Sequence, residues 1–125
     1  MGRVRQMIKV DGREFWTLFD TGARNTYVTT EVASLLTTAQ TEQPFRTALG
    51  GTIKEATQTA LLEGKVEGRR ISTHALVIDE IGRDEDGTRI DILFGALAMQ
   101  QWGIRPIPDE DRLDLTHYPE EFLEF

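Results

Sequence analysis

The stretch TLFDTGARNTYV, residues 17–28, runs from an apolar pair into a carboxylate and then into a turn. Leu18 and Phe19 read as the end of a core strand, and Asp20 stands at its tip, directly before Thr21-Gly22-Ala23. Taking a carboxylate out of water is costly unless partners satisfy it. An acid in that position therefore needs a reason. Gly22 lets the backbone approach another group closely, and Thr21 supplies a hydroxyl that both donates and accepts.

Working outward, VRQMIKV (4–10) and REFWTLF (13–19) flank Asp11-Gly12, a strong two-residue turn signal, and read as a hairpin. After the Asp-Thr-Gly-Ala run, Thr29 or Thr30 caps a helix expected over EVASLLTTA (31–39). Glu31 suits its positive N-terminus, and Val32, Leu35 and Leu36 share one face. Pro44 breaks this pattern. Residues 45–66 then read as a second hairpin turning at Gly50-Gly51, and Glu67-Gly68 turns a third into RISTHALVID (70–79). The acidic stretch DEIGRDEDG (79–87) reads as a solvated loop, IDILF (90–94) as a buried strand, and ALAMQQW as a helix stopping at Gly103. Farther on, RLDLT (112–116) alternates like a strand, and the tail ends in Phe122, Leu123 and Phe125. Trp16, Tyr27 and Trp102 read as core aromatics and His74 as a structural strand residue.

A short repeat runs through this pattern. KVDGR (9–13) recurs as KVEGR (65–69), each at a hairpin turn, and an apolar strand ending in Gly-Ala follows each, at Gly22-Ala23 and at Gly95-Ala96. The repetition predicts a pseudo-twofold domain in which the Gly-Ala pairs correspond.

Length and composition set the bounds. At 125 residues, with 39% apolar and 28% charged residues, the chain fits one domain, residues 1–125. No apolar run reaches membrane-spanning length and the N-terminus lacks a signal-type apolar core, so a cytoplasmic protein without a membrane partner is expected. There are no cysteines, and His74 and His117 match no ligand spacing, so no metal and no cofactor are expected. A net charge of −7 argues against a nucleic-acid partner, which needs clustered Lys and Arg.

A carboxylate at a strand end beside glycine suits general-base chemistry. Peptide hydrolysis by carboxylates alone needs two of them, one to take a proton from water and a neutral one to donate to the scissile carbonyl. The chain has a single Asp-Thr-Gly, and no acid stands between Phe94 and Gly95. The second carboxylate is therefore expected from another subunit across a twofold axis. Asp20 is then placed to meet its own copy.

These motifs resemble the retropepsin-like aspartic proteases. LFDTGA (18–23) is similar to their active-site loop, and ILFGALAMQQWGI (92–104) to their second-half signature of apolar strand, glycine and short helix. ALGGT (48–52) sits where the family has its flap. The likeness runs over roughly residues 6–105, most closely to the small free-standing prokaryotic members. It implies an all-β fold, a closed acid-protease barrel with one or two short helices, a pseudo-twofold within the chain, and an obligate homodimer with one active site at the interface. On this resemblance the active-site loop is 18–25, the flap about 45–58 and the second-half strand, glycine and helix 90–103. Asp20, Thr21 and Gly22 form the catalytic loop, Thr21 bonding across the dimer. Ala23, Arg24, Leu49, Gly50, Gly51 and Thr52 contact an extended peptide. The tail 106–125 either joins the dimer interface or docks on its own subunit.

Two residues depart from the family pattern. Arg24 stands where retroviral members carry an acid that binds substrate backbone, and Leu97 replaces a polar residue that helps to lock the loop. The activity implied is that of an aspartic endopeptidase. The alternative is a catalytically silent module of the same fold that binds peptides or mediates dimerisation, and the intact Asp-Thr-Gly favours the enzyme.

Overall fold

Two tight turns of the same hand open the first and third hairpins. Asp11 and Gly12 have φ of 49° and 79°, and Glu67 and Gly68 have φ of 50° and 79°. Positive φ at both central residues is what a two-residue turn needs to match the twist of its flanking strands. The computed structural model describes residues 2–120. In it, β1 (Arg3–Val10) and β2 (Arg13–Asp20) pair in full register from Arg3↔Asp20 to Val10↔Arg13. β5 (Thr52–Val66) and β6 (Arg69–Ile78) pair the same way around the second of these turns.

β2 passes into the interior. Thr17, Leu18, Phe19 and Asp20 are all buried, which removes the in–out alternation of a half-solvated strand. Phe19 belongs to the main core with Val4, Ile8, Val28, Ile92 and Phe94, and its ring lies 5.2 Å from that of Phe94. Leu18 joins a second, smaller cluster with Tyr27, Ala56, Ile78, Ile90 and Leu93. Burying one such side chain is worth about 1.5–3 kcal/mol, so the strand that carries Asp20 is firmly held on both faces.

β3 (Tyr27–Thr29) leads into a single-turn helix, α1 (Thr30–Ala33). The helix expected over 31–39 stops there. The Ser34 hydroxyl donates to the Glu31 carbonyl at 2.6 Å, the kind of local bond that competes with helix propagation. From Thr37 the chain is strand: β4 (Thr37–Leu49) runs antiparallel to β5. The second hairpin is thus longer than expected, and Pro44 lies inside it, at the register shift between Gln40 and Phe45. A proline fits there because β4 is the outermost strand of its sheet.

The acidic stretch contains a small ordered hairpin, β7 (Gly82–Arg83) with β8 (Arg89–Ile90). β9 (Ile92–Phe94) and α2 (Ala96–Trp102) follow, and α2 ends at Gly103 with φ 63°, as the sequence predicts. β10 (Arg105–Ile107) and β11 (Arg112–Asp114) form a last two-stranded sheet. Beyond it the tail packs on its own chain. Tyr118 stacks on Trp102 with ring centroids 5.9 Å apart, and its hydroxyl donates to the Arg70 carbonyl. Phe122, Leu123 and Phe125 lie outside the described residues.

The main sheet has the order β1-β2-β9-β3-β6-β5-β4, and a single pairing, Lys9↔Lys65, brings β5 back beside β1. The architecture is mostly β with two short helices. The order is palindromic about the antiparallel β3–β9 pair: β2 runs parallel to β9, and β6 parallel to β3. This is the predicted pseudo-twofold, with one correction to its register. β9 is the counterpart of β3, and the Gly-Ala pairs do not correspond. Thr17-Leu18-Phe19, paired with β9, maps onto Leu76-Val77-Ile78, paired with β3. The residue matching Asp20 is therefore Asp79, an exposed acid bonded to Lys54 Nζ at 3.1 Å.

Candidate active site

Asp20 ends β2 with 5% of its surface exposed. Its Oδ1 accepts the Gly22 N–H at 2.8 Å, and its Oδ2 accepts Arg3 Nε at 3.1 Å. The β1–β2 register sets the second contact, since Arg3 lies directly opposite Asp20. Thr21 is exposed. Its hydroxyl accepts the Gly2 N–H at 2.9 Å, and its own N–H donates to the Gly2 carbonyl at 3.0 Å.

Behind the loop stands α2. The Ala96 N–H donates to the Ala23 carbonyl at 2.7 Å, the Leu97 N–H to the Arg24 carbonyl at 3.2 Å, and the Gly95 N–H to Thr26 Oγ1 at 3.1 Å. Otherwise unpaired donors of the helix N-terminus thus hold the loop. The exposed Leu97 side chain removes a polar side-chain lock, and backbone N–H groups do that work instead. The approach leaves no room at Gly95, where a Cβ would come within 2.1 Å of the Asn25 carbonyl oxygen.

Asp20 lines a cleft of about 740 Å³ bounded by this loop, the tip of the β4–β5 hairpin and the β7–β8 hairpin. Of the expected site residues, Asp20, Gly22, Ala23, Arg24, Leu49 and Gly50 come together around it. Thr21, Gly51 and Thr52 lie outside its lining. The cleft takes in residues beyond the expected site set. Tyr27 is buried, yet its hydroxyl hydrogen-bonds Thr47 Oγ1 at 2.8 Å, tying the cleft floor to the hairpin arm. Arg3, Arg5 and Arg83 line the cleft from distant parts of the chain, and nothing local in the sequence marks them.

Two further acids line the cleft, and both are engaged. Asp84 Oδ2 accepts the Trp16 indole N–H at 2.7 Å, while its Oδ1 accepts the Asp86 and Thr88 N–H groups. Led by the indole bond, these hold its carboxyl below the ordinary 3.8. Glu85 pairs with Arg5 at 2.6 Å. Asp91 sits between β8 and β9 rather than in the cleft, bonded to Thr29 and Arg89, and burial pushes its carboxyl up. Among the described residues, no three His, Asp or Glu side chains are grouped to hold a metal ion.

Residues 7–97 match the protein family described as "Aspartyl protease". The chain belongs to the retropepsin-like aspartic protease family. No curated protein matches it in sequence. Among solved structures it resembles the EIAV protease complexed with the inhibitor HBY-793, at 22% identity and a TM-score of 0.60, over 84% of this chain and 92% of that one. It also resembles the retroviral protease-like domain of Ddi1 from Leishmania major, at 15% identity and a TM-score of 0.65, over 98% and 99% of the two chains. At these identities the likeness is one of fold. It extends beyond the family match of residues 7–97 to nearly the whole chain.

Proposed function

We propose that the protein is an aspartic endopeptidase in which Asp20 and its symmetry mate in a homodimer activate a water molecule. The observation that carries this reading is a buried carboxylate at the floor of an open cleft, in the Asp-Thr-Gly loop of an aspartyl protease family member. The other acids of the cleft are committed to Trp16 and Arg5, so a second catalytic carboxyl comes from a second copy. On this reading Thr21 ties the two loops together across the axis, a role its exposure supports. Dimerisation on this face completes the closed barrel that the resemblance implies.

The chemistry needs one ionised and one neutral carboxyl, because two like charges at close range disfavour double ionisation. The ionised one takes a proton from water, whose oxygen attacks the scissile carbonyl carbon, while the neutral one protonates the carbonyl oxygen. Collapse of the tetrahedral species breaks the C–N bond, and a proton passes to the leaving amine. A peptide lies extended in the cleft, held by main-chain bonds and covered by the β4–β5 tip acting as a flap. Gly50 and Gly51, with φ of 55° and 83°, form that tip.

One observation favours the silent alternative. Arg3 Nε already occupies Asp20 Oδ2, an arrangement that also suits a purely structural ion pair. Incubating the purified protein with a diverse peptide pool, beside an Asp20→Asn control, separates the two readings. New termini formed by the wild type alone support the enzyme, and binding without cleavage supports the module.

A further inference from the structure

The cleft carries an excess of positive charge in a chain whose formal net charge is −7. Arg3 bonds Asp20, Arg5 bonds Glu85, and Arg83 donates to the Gly87 carbonyl at 2.8 Å. Arg24 differs from all three. It is exposed, and its guanidinium makes no hydrogen bond or ion pair among the described residues. It also borders a neighbouring hollow of about 390 Å³, lined by His74 and uncharged residues and by no carboxylate. Among the described residues the fold uses only its backbone carbonyl, as an acceptor for Leu97.

A guanidinium presents five donors in a planar fork that matches a carboxylate bidentately. The chain as a whole is net negative, whereas Arg24, at the junction of the two hollows, is paired with none of the cleft acids, since Asp20, Asp84 and Glu85 bond Arg3, Trp16 and Arg5. An anionic group entering the cleft is therefore steered to Arg24. We propose that Arg24 makes the cleft selective for acidic peptides, engaging a substrate carboxylate beside the scissile bond. This rests on the reading of the cleft as a peptide site. The carboxylate comes either from an Asp or Glu side chain or from a free C-terminus.

The test separates binding from turnover. Labelled peptides identical except for Glu, Gln or Lys next to the central bond, each with a free or amidated C-terminus, are titrated against the Asp20→Asn protein by fluorescence anisotropy. Glu peptides should bind about five- to tenfold tighter than Gln peptides, with the margin shrinking as salt rises. Arg24→Gln in the same background should abolish the preference, and Arg24→Glu should turn it toward Lys. If peptides with a free C-terminus instead bind tighter than their amidated forms whatever the residue beside the bond, and Arg24→Gln removes that margin, the C-terminus is the source and Arg24 still selects a carboxylate. Equal affinity for Glu and Gln peptides with no effect of amidation, no binding of either, or a carboxylate preference that survives Arg24→Gln overturns the inference. Cleavage by the wild type is followed in parallel. An Arg24-dependent preference with no peptide cleaved refutes the hydrolytic reading and supports this one, whereas equal cleavage of Glu and Gln peptides, unchanged by amidation, refutes this one alone.

Discussion

Asp20 and Arg3 close the open end of the first hairpin, and the acid is held from the loop side by the Gly22 N–H. An amide in place of the carboxylate keeps an acceptor for Gly22, so Asp20→Asn should fold, with a circular dichroism spectrum matching the wild type. Its peptide hydrolysis should fall to background, since the base is gone. Activity near wild type in purified mutant contradicts the mechanism. Gly95 presents the opposite case, a residue with no chemistry whose replacement should be severe. A methyl group there meets backbone, not a flexible side chain, so relief requires the loop or α2 to move. Gly95→Ala should cost about 3 kcal/mol, the upper end of overpacking penalties, and lower Tm by roughly 10 °C. Hydrolysis should drop with it, because the same loop carries Asp20. The importance of Gly95 was legible in the sequence as a glycine after an apolar strand, but its partner was not. Nothing in residues 22–26 indicates that a helix about seventy residues later supplies its hydrogen bonds.

Elements show where local pattern and tertiary pairing disagree. Turns, the two hairpins that carry repeated motifs, and α2 follow from local chemistry and match their expected places. Residues 31–39 do not, because Val32, Leu35 and Leu36 fit a helical face while the residues from Thr37 onward gain more by extending the ladder with β5. The β7–β8 hairpin was hidden for a different reason. Its acids look solvated in sequence, yet Asp84 folds inward onto the indole of Trp16, sixty-eight positions away. The folded state holds the Asp84 carboxyl below 3.8, so its contribution is fully present above that value and is lost as pH falls through the lowered one. The Trp16 indole N–H resonance should therefore titrate with a midpoint below 3.8. Trp16→Phe should loosen this cleft wall at pH values above 3.8, seen as faster limited proteolysis within residues 82–90. A midpoint above 3.8 contradicts the assignment.

At the scale of the whole molecule, activity is predicted to depend on assembly. If each subunit supplies one Asp20, specific activity should fall on dilution with the midpoint of the dimer–monomer transition measured by sedimentation. An excess of Asp20→Asn chain should poison the wild type, because a mixed dimer carries one carboxyl instead of two. Full specific activity in a demonstrably monomeric sample rejects this arrangement. The overall architecture was legible through motif order and the repeated turn. The register of its twofold was not, because the repeat lies in the turns while the symmetry axis runs through β3 and β9, which share no sequence motif.

That interleaving has a consequence for how the molecule is made. β9 inserts beside β2, and the N-terminus of α2 completes the loop after β2, so Asp20 lacks its final setting until residues near 97 have been synthesised. Long-range parallel pairing of this kind forms slowly, and chains emerge from the ribosome N-terminus first. A nascent chain stalled before Ile92 already contains its Asp-Thr-Gly, yet lacks both β9 and the α2 N–H groups that brace the loop. The fold itself thus withholds the fully braced Asp-Thr-Gly loop from a nascent chain until β9 and the start of α2 have emerged.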